Sequence, residues 1–275
     1  MKILAVDFDG VISDSALKSL FVGHNVYCRH FGTNAKKSFG GKCFTFENWE
    51  HLKKEYHQEM EKYKRLRAYV EQSCDFLVMI KIIEEQIEVD NQQDFIRIRN
   101  EMDLDYRFFH ELFFKEKEKW QKKDFAKWFS LAPVYKKVVE GIKRLLDEGV
   151  KVVIATSNLG KAIHPAFHAD YLGFSMELKD IFDKNYGKSK SDHMKAIVEQ
   201  YKVAHKDIYF VDDQLNYLEE TKVFGVNVFL AGWGYCTEEQ KSIARKEDIT
   251  VIESEEEFYP TMKLNFTGDG SLQNS

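Results

Sequence analysis

Apolar runs of strand length recur along this chain, and most of them stop at polar side chains suited to chemistry rather than at ordinary turn residues. Ile3–Val6 runs into Asp7, Phe8, Asp9 and Gly10. Lys151–Ala155 runs into Thr156, Ser157 and Asn158, after an amphipathic helix pattern over Val134–Glu148. Ile208–Val211 runs into Asp212 and Asp213, and Val226–Ala231, read as the last core strand, gives way to Gly232, Trp233, Gly234 and Tyr235. Short continuous apolar runs bounded by turn signals predict strands buried on both faces of a parallel sheet. Such sheets bind ligands outside the carboxyl ends of their strands, where these polar groups fall. Because side chains alternate along extended chain, Asp7 and Asp9 lean the same way while Phe8 turns into the core, and Gly10 permits a sharp bend.

Between the first and second of these runs the pattern changes. From about Ala16 to Leu131 it is almost wholly helical, rich in Lys, Glu and aromatic residues and free of proline, with glycines gathered at Gly23, Gly32, Gly40 and Gly41. Pro133 marks the return to the alternating strand and helix pattern. The predicted organisation is a discontinuous α/β core over 1–15 and 132–260, a Rossmann-like doubly wound parallel sheet, with an all-helical domain inserted at 16–131. Residues 261–275, polar and glycine-containing, are expected to be a flexible tail.

The strand-end residues define a chemistry. Two carboxylates one residue apart repel each other unless a cation, a shared proton or a basic side chain lies between them. A hydroxyl with backbone N–H groups at a strand-to-helix junction suits a phosphate oxygen. Lys188 and Lys190 precede a helix pattern over Asp192–Tyr201, and a compact ammonium there can neutralise a phosphate and a carboxylate together. Hard oxygen ligands from two strand ends favour magnesium.

In order, Asp-x-Asp-Gly, Thr-Ser-Asn, a lysine and Asp-Asp form the motif series of the haloacid dehalogenase-like hydrolase superfamily, which this chain resembles. The resemblance points to its phosphatase branch, with a phosphoglycolate phosphatase-like core; the Trp-Gly-Tyr at Trp233–Tyr235 is similar to one in those members. It implies that Asp7 is the nucleophile forming an aspartyl-phosphate. Asp9 would be the general acid and base, its backbone carbonyl also binding Mg2+. Thr156, the Ser157 amide and Asn158 would hold the phosphoryl group. Asp213 would ligate the metal directly, and Asp212 directly or through water. Lys190 is favoured as the catalytic lysine, with Lys188 the alternative at a shorter spacing. The second aspartate at Asp9 separates phosphoryl chemistry from carbon–halogen cleavage. An insertion at this point in the superfamily is a mobile cap that closes over the site.

The implied activity is magnesium-dependent hydrolysis of a small phosphorylated metabolite. A phosphomutase, a phosphonate-cleaving enzyme or a catalytically silent binding module could use the same fold. Within the cap, Phe39-Gly40-Gly41-Lys42 could reach substrate, and Arg65, Arg67, Arg97, Arg99 and Arg107 could clamp an anion, although charged helix faces are more commonly solvated.

Composition narrows the partners. A formal charge of −5 and a pI near 6.0 give no footprint for nucleic acid. Cys28, Cys43, Cys74 and Cys236 show no close ligand spacing and are expected to be reduced thiols. The opening residues resemble neither a signal peptide nor an anchor, and the apolar stretch Phe76–Ile83 is interrupted by Lys81, so no membrane partner and a cytoplasmic location are expected. Nothing in the pattern fixes an oligomeric state.

Overall fold

The computed structural model describes residues 1–30, 38–102, 105–187 and 189–267. They form two compact units, one of Met1–Asp14 with the chain from Val134 onward, the other of Ser15–Pro133.

The chain opens with β1 (Ile3–Val6) and enters the inserted unit, which among the described residues has no strand. Its helices are α1 (Ala16–His30), α2 (Trp49–Glu55), α3 (His57–Leu66), α4 (Asp75–Glu84), α5 (Gln92–Glu101), α6 (Tyr106–Lys123) and α7 (Phe125–Ser130). Asn91, Asp105 and Asp124 start the last three by accepting hydrogen bonds from backbone N–H groups three residues on. The core of this unit is aromatic: the Phe21 ring meets Phe44, Phe46, Trp49 and Trp120 at centroid distances of 5.0–5.9 Å. Phe39 is fully buried in the same cluster, whereas Gly40, Gly41 and Lys42 are exposed. Arg97 pairs with Asp94 and Glu101, Arg99 with Glu71 and Asp75, and Arg107 with Glu111.

The remaining chain alternates helix and strand: α8 (Lys136–Asp147), β2 (Lys151–Ala155), α9 (Gly160–Ile163), β3 (Ile181–Phe182), α10 (Lys190–Tyr201), β4 (Ile208–Asp212), α11 (Leu215–Lys222), β5 (Asn227–Ala231), α12 (Glu238–Lys246), β6 (Thr250–Ile252) and α13 (Glu255–Thr267). All strand pairs are parallel, in the order β3-β2-β1-β4-β5-β6. The first strand is therefore central. Ala5 registers with Val153 on one side and Phe210 on the other, and these residues share one apolar face with Ile3, Ile208, Met194, Ile197 and Leu218. In-register pairing of β1, β2 and β4 places Asp7, Thr156 and Asp212 at one edge of the sheet.

Two strands escaped the sequence pattern: β3, of two residues, and β6, which follows the run read as the last strand. The expected tail begins inside α13, where Met262 is fully buried; residues 268–275 lie outside the described residues. Among the described residues no helix is long and apolar enough to cross a membrane.

Candidate active site

Lys190 organises the site. Ser189 caps α10 by accepting from the Asp192 N–H at 3.1 Å, while the Asp192 carboxylate accepts from the Ser189 N–H at 3.3 Å. This reciprocal capping starts the helix at Lys190, two residues earlier than the apolar pattern implied, and fixes the lysine in its first turn. The Nζ then lies 2.9 Å from Asp7 Oδ1 and 2.9 Å from Asp212 Oδ2, and donates to the Ala155 carbonyl at 2.7 Å. Its stem is buried against the rings of Phe210 and Tyr217, 5.4 and 5.3 Å from the ammonium. The alternative, Lys188, lies outside the described residues.

Asp7, Asp212 and Asp213 are all buried, and each offers an oxygen within 4.8 Å of the other two. Burial raises Asp7 to about 7, helped by Asp212 and Asp9 and opposed by Lys190. Burial likewise raises Asp212 to about 6 against the pull of Lys190. Burial disfavours the Lys190 ammonium, but Asp212 and Asp7 together hold its pKa above the usual lysine range. Beyond these ion pairs, Asp7 Oδ1 and Asp212 Oδ2 are buried with no hydrogen-bond donor among the described residues. Three buried carboxyl groups with one ammonium beside two of them offer clustered hard oxygen donors, a setting that fits a divalent cation such as Mg2+, which would favour their ionised form.

The other candidates surround this group. The Asp9 carboxylate accepts from Asn158 Nδ2, and Thr156 Oγ1 accepts from the Asn158 N–H at 3.1 Å. Ser157 is exposed beside them. Asp212 Oδ1 accepts from the Gln214 N–H at 2.9 Å, and Asp213 Oδ2 accepts from the Tyr235 N–H at 3.0 Å and from Gln214 Nε2 at 3.2 Å. The sequence pattern assigned no role to Gln214 and none in the site to Trp233. Gln214 braces both aspartates, and Trp233, whose ring meets Phe258 at 6.1 Å, also donates to the Val11 carbonyl at 3.2 Å.

Gly10 explains how Asp213 approaches β1. Its φ of +85° turns the chain, and a Cβ there would lie 2.4 Å from Asp213 Oδ2. Gly10→Ala is expected to lose about 1–3 kcal/mol from the backbone conformation alone, with further loss from displacing the carboxylate. A urea melt checks this, and wild-type stability in the variant would contradict the close approach.

Comparison with known proteins adds a family. The model of the haloacid dehalogenase-like hydrolases matches residues 1–222. The chain belongs to that family. No curated protein matches it. Among solved structures, a candidate phosphoglycolate phosphatase from Lactobacillus delbrueckii subsp. bulgaricus is 12% identical, with a TM-score of 0.60 over 98% of this chain and 100% of its own. A predicted phosphoglycolate phosphatase from Haemophilus somnus is 15% identical, with a TM-score of 0.54 over 96% and 98%. A candidate β-phosphoglucomutase from Thermotoga maritima is 14% identical, with a TM-score of 0.53 over 96% and 99%. At these identities the likeness is one of fold, and this member of the haloacid dehalogenase-like family is a hydrolase on the strength of the family match.

Proposed function

We propose that the protein is a magnesium-dependent phosphatase that hydrolyses a small phosphate monoester through an aspartyl-phosphate on Asp7. The observation that carries this reading is the buried Lys190 ammonium held between Asp7 and Asp212, with Asp213 in the same carboxylate group. Burial opposes ionisation of the Asp7 carboxyl. Lys190 pulls it toward the nucleophilic carboxylate, and cancels charge on an incoming phosphoryl group as well.

An Asp7 oxygen attacks phosphorus as the bond to the leaving oxygen breaks, and Asp9 gives that oxygen its proton. Asp9 then takes a proton from water as the water oxygen attacks phosphorus, which frees Asp7 and releases inorganic phosphate. Asn158, already bonded to Asp9, orients that carboxyl for both transfers. Thr156 and the Ser157 amide steady the phosphoryl oxygens. Magnesium, when held by Asp7, the Asp9 carbonyl, Asp213 and, directly or through water, Asp212, would neutralise charge on the transferring group.

A phosphomutase would need the same residues, and likeness in fold to a candidate β-phosphoglucomutase adds none to the site. Release of free phosphate from a generic aryl phosphate separates hydrolysis from transfer or silent binding. Chelation is expected to abolish that release, magnesium to restore it and calcium, with its larger and looser coordination, to fail. Asp213→Ala should raise the magnesium requirement more than Asp212→Ala, as expected of a direct ligand against one that can act through water; the reverse ranking would shift the metal site by one residue. Turnover at full rate in excess chelator would sink the metal-dependent reading.

A further inference from the structure

Tyr235 makes two hydrogen bonds that join distant parts of the core unit. Its backbone N–H donates to Asp213 Oδ2 at 3.0 Å, and its buried phenol donates to Asp14 Oδ1 at 2.8 Å. Asp14 is the last residue of the core unit before the chain departs into the helical insert. The turn leading to it is tied at each step. Gly10 N–H donates to the Ser13 carbonyl at 2.8 Å, and Trp233 Nε1 donates to the Val11 carbonyl at 3.2 Å. The returning strand of chain joins the same turn, since the Tyr135 N–H donates to the Ile12 carbonyl at 3.0 Å and Ser13 bridges Val134.

These contacts close a ring. Asp213 abuts Gly10, Gly10 begins the turn, the turn ends at Asp14, and Asp14 returns through Tyr235 to Asp213. Gly234 completes it: a Cβ there would lie 2.4 Å from Asp213 Cβ and 2.5 Å from the Gly10 carbonyl, so only glycine lets the Tyr235 segment close over both. A packed ring of this kind moves as one piece, because displacing any member opens a buried contact.

From this ring we infer that Tyr235 is a positioning residue that couples magnesium binding at Asp213 to the order of the linker turn Val11–Asp14. The inference rests on the metal-binding reading of Asp213. Energetically, a ligand that fixes the Asp213 carboxylate also fixes the Tyr235 segment that accompanies it, and the phenol carries that constraint to Asp14. Coupling of this kind is reciprocal, so a loosened linker turn weakens the metal site. The hydroxyl is not one of the grouped carboxylates, so removing it deletes the bond to Asp14 while leaving Asp7, Asp212 and Asp213 unsubstituted.

The test is magnesium binding by titration calorimetry, with hydrogen exchange read over the peptide containing Val11–Asp14, on the full chain. Wild type is expected to bind magnesium and to show slower exchange in that peptide when loaded. Tyr235→Phe is expected to bind magnesium about fivefold or more weakly, the lower end of couplings between linked sites. Its linker peptide should also lose the magnesium-dependent slowing. Asp14→Ala should reproduce both effects, Asp14→Asn should restore them because the amide oxygen still accepts, and the Tyr235→Phe, Asp14→Ala double variant should be no worse than either single change. Melting in chelator shows that the variants are folded, and the stabilisation gained on adding magnesium should shrink in Tyr235→Phe relative to wild type. Unchanged affinity and unchanged magnesium-dependent protection in Tyr235→Phe or Asp14→Ala overturn the coupling while leaving the phosphatase reading intact. Failure of wild type to bind magnesium overturns the metal reading and the coupling with it.

Discussion

Asp7→Asn is expected to abolish turnover while the protein stays folded. The amide keeps the shape of the carboxyl and its place beside Lys190, but it has no anionic oxygen with which to attack phosphorus. The loss should fall on kcat, beyond about a thousandfold, because the interaction removed is the bond-forming one. Acid quenching after brief exposure to a labelled phosphate donor should trap label on wild type and none on the variant. Turnover within about tenfold of wild type, or label on the asparagine variant, would remove Asp7 from the nucleophile's role. Its fold should be tested alongside, since the amide also relieves one of the buried charges facing Lys190.

Lys190→Met carries the second large effect, and it falls on activity and stability together. The substitution preserves length and burial but removes the cation between two carboxylates that are themselves almost wholly inaccessible. Losing one charge-stabilising group is expected to cost roughly 100-fold or more in rate. Breaking a buried pair by removing one partner costs about 3–5 kcal/mol, because the remaining charge is left without compensation. The deficit should depend on pH. Without the ammonium, burial lifts Asp7 and Asp212 further above the ordinary aspartate value of 3.8. A carboxyl raised on folding stabilises the folded state below its unfolded pKa, and that contribution is lost as pH climbs through the folded value. Measured by denaturant melts in chelator, the gap to wild type should be widest above about pH 7 and should narrow toward about pH 5. A gap that widened on acidification, or an active variant, would contradict the assigned role.

The carboxyl edge of the sheet was legible because apolar strands end there in carboxylates, and the pairing of β1 with β2 and β4 brings those ends to one place. β3 was not legible. Two residues, Ile181 and Phe182, contribute too little period to register, although the Phe182 carbonyl takes the Thr156 N–H at 2.9 Å. The polar, glycine-containing composition of 261–275 disguised the last helix: α13 carries on through Pro260 to Thr267 and buries Met262. Lys190 could be favoured over Lys188 from the helix pattern, but the Ser189–Asp192 capping that fixes it was overlooked although Ser-x-x-Asp stands in the sequence. Tyr235 could not be found that way. Its partner Asp14 lies 221 residues away, and no local pattern records such a contact.

The central place of β1 has a consequence for how the molecule is made. Ile3–Val6 leaves the ribosome before either neighbour exists; its ladder with β2 cannot close until Ile154 has been synthesised, and its ladder with β4 not until Val211. The inserted unit, Ser15–Pro133, is contiguous and has all its own contacts available much earlier. The insert can therefore condense first, while the strand that will become the middle of the sheet waits for Lys151–Ile154 to gain its first neighbour and for Ile208–Val211, encoded some six hundred nucleotides downstream at roughly three per residue, to gain its second.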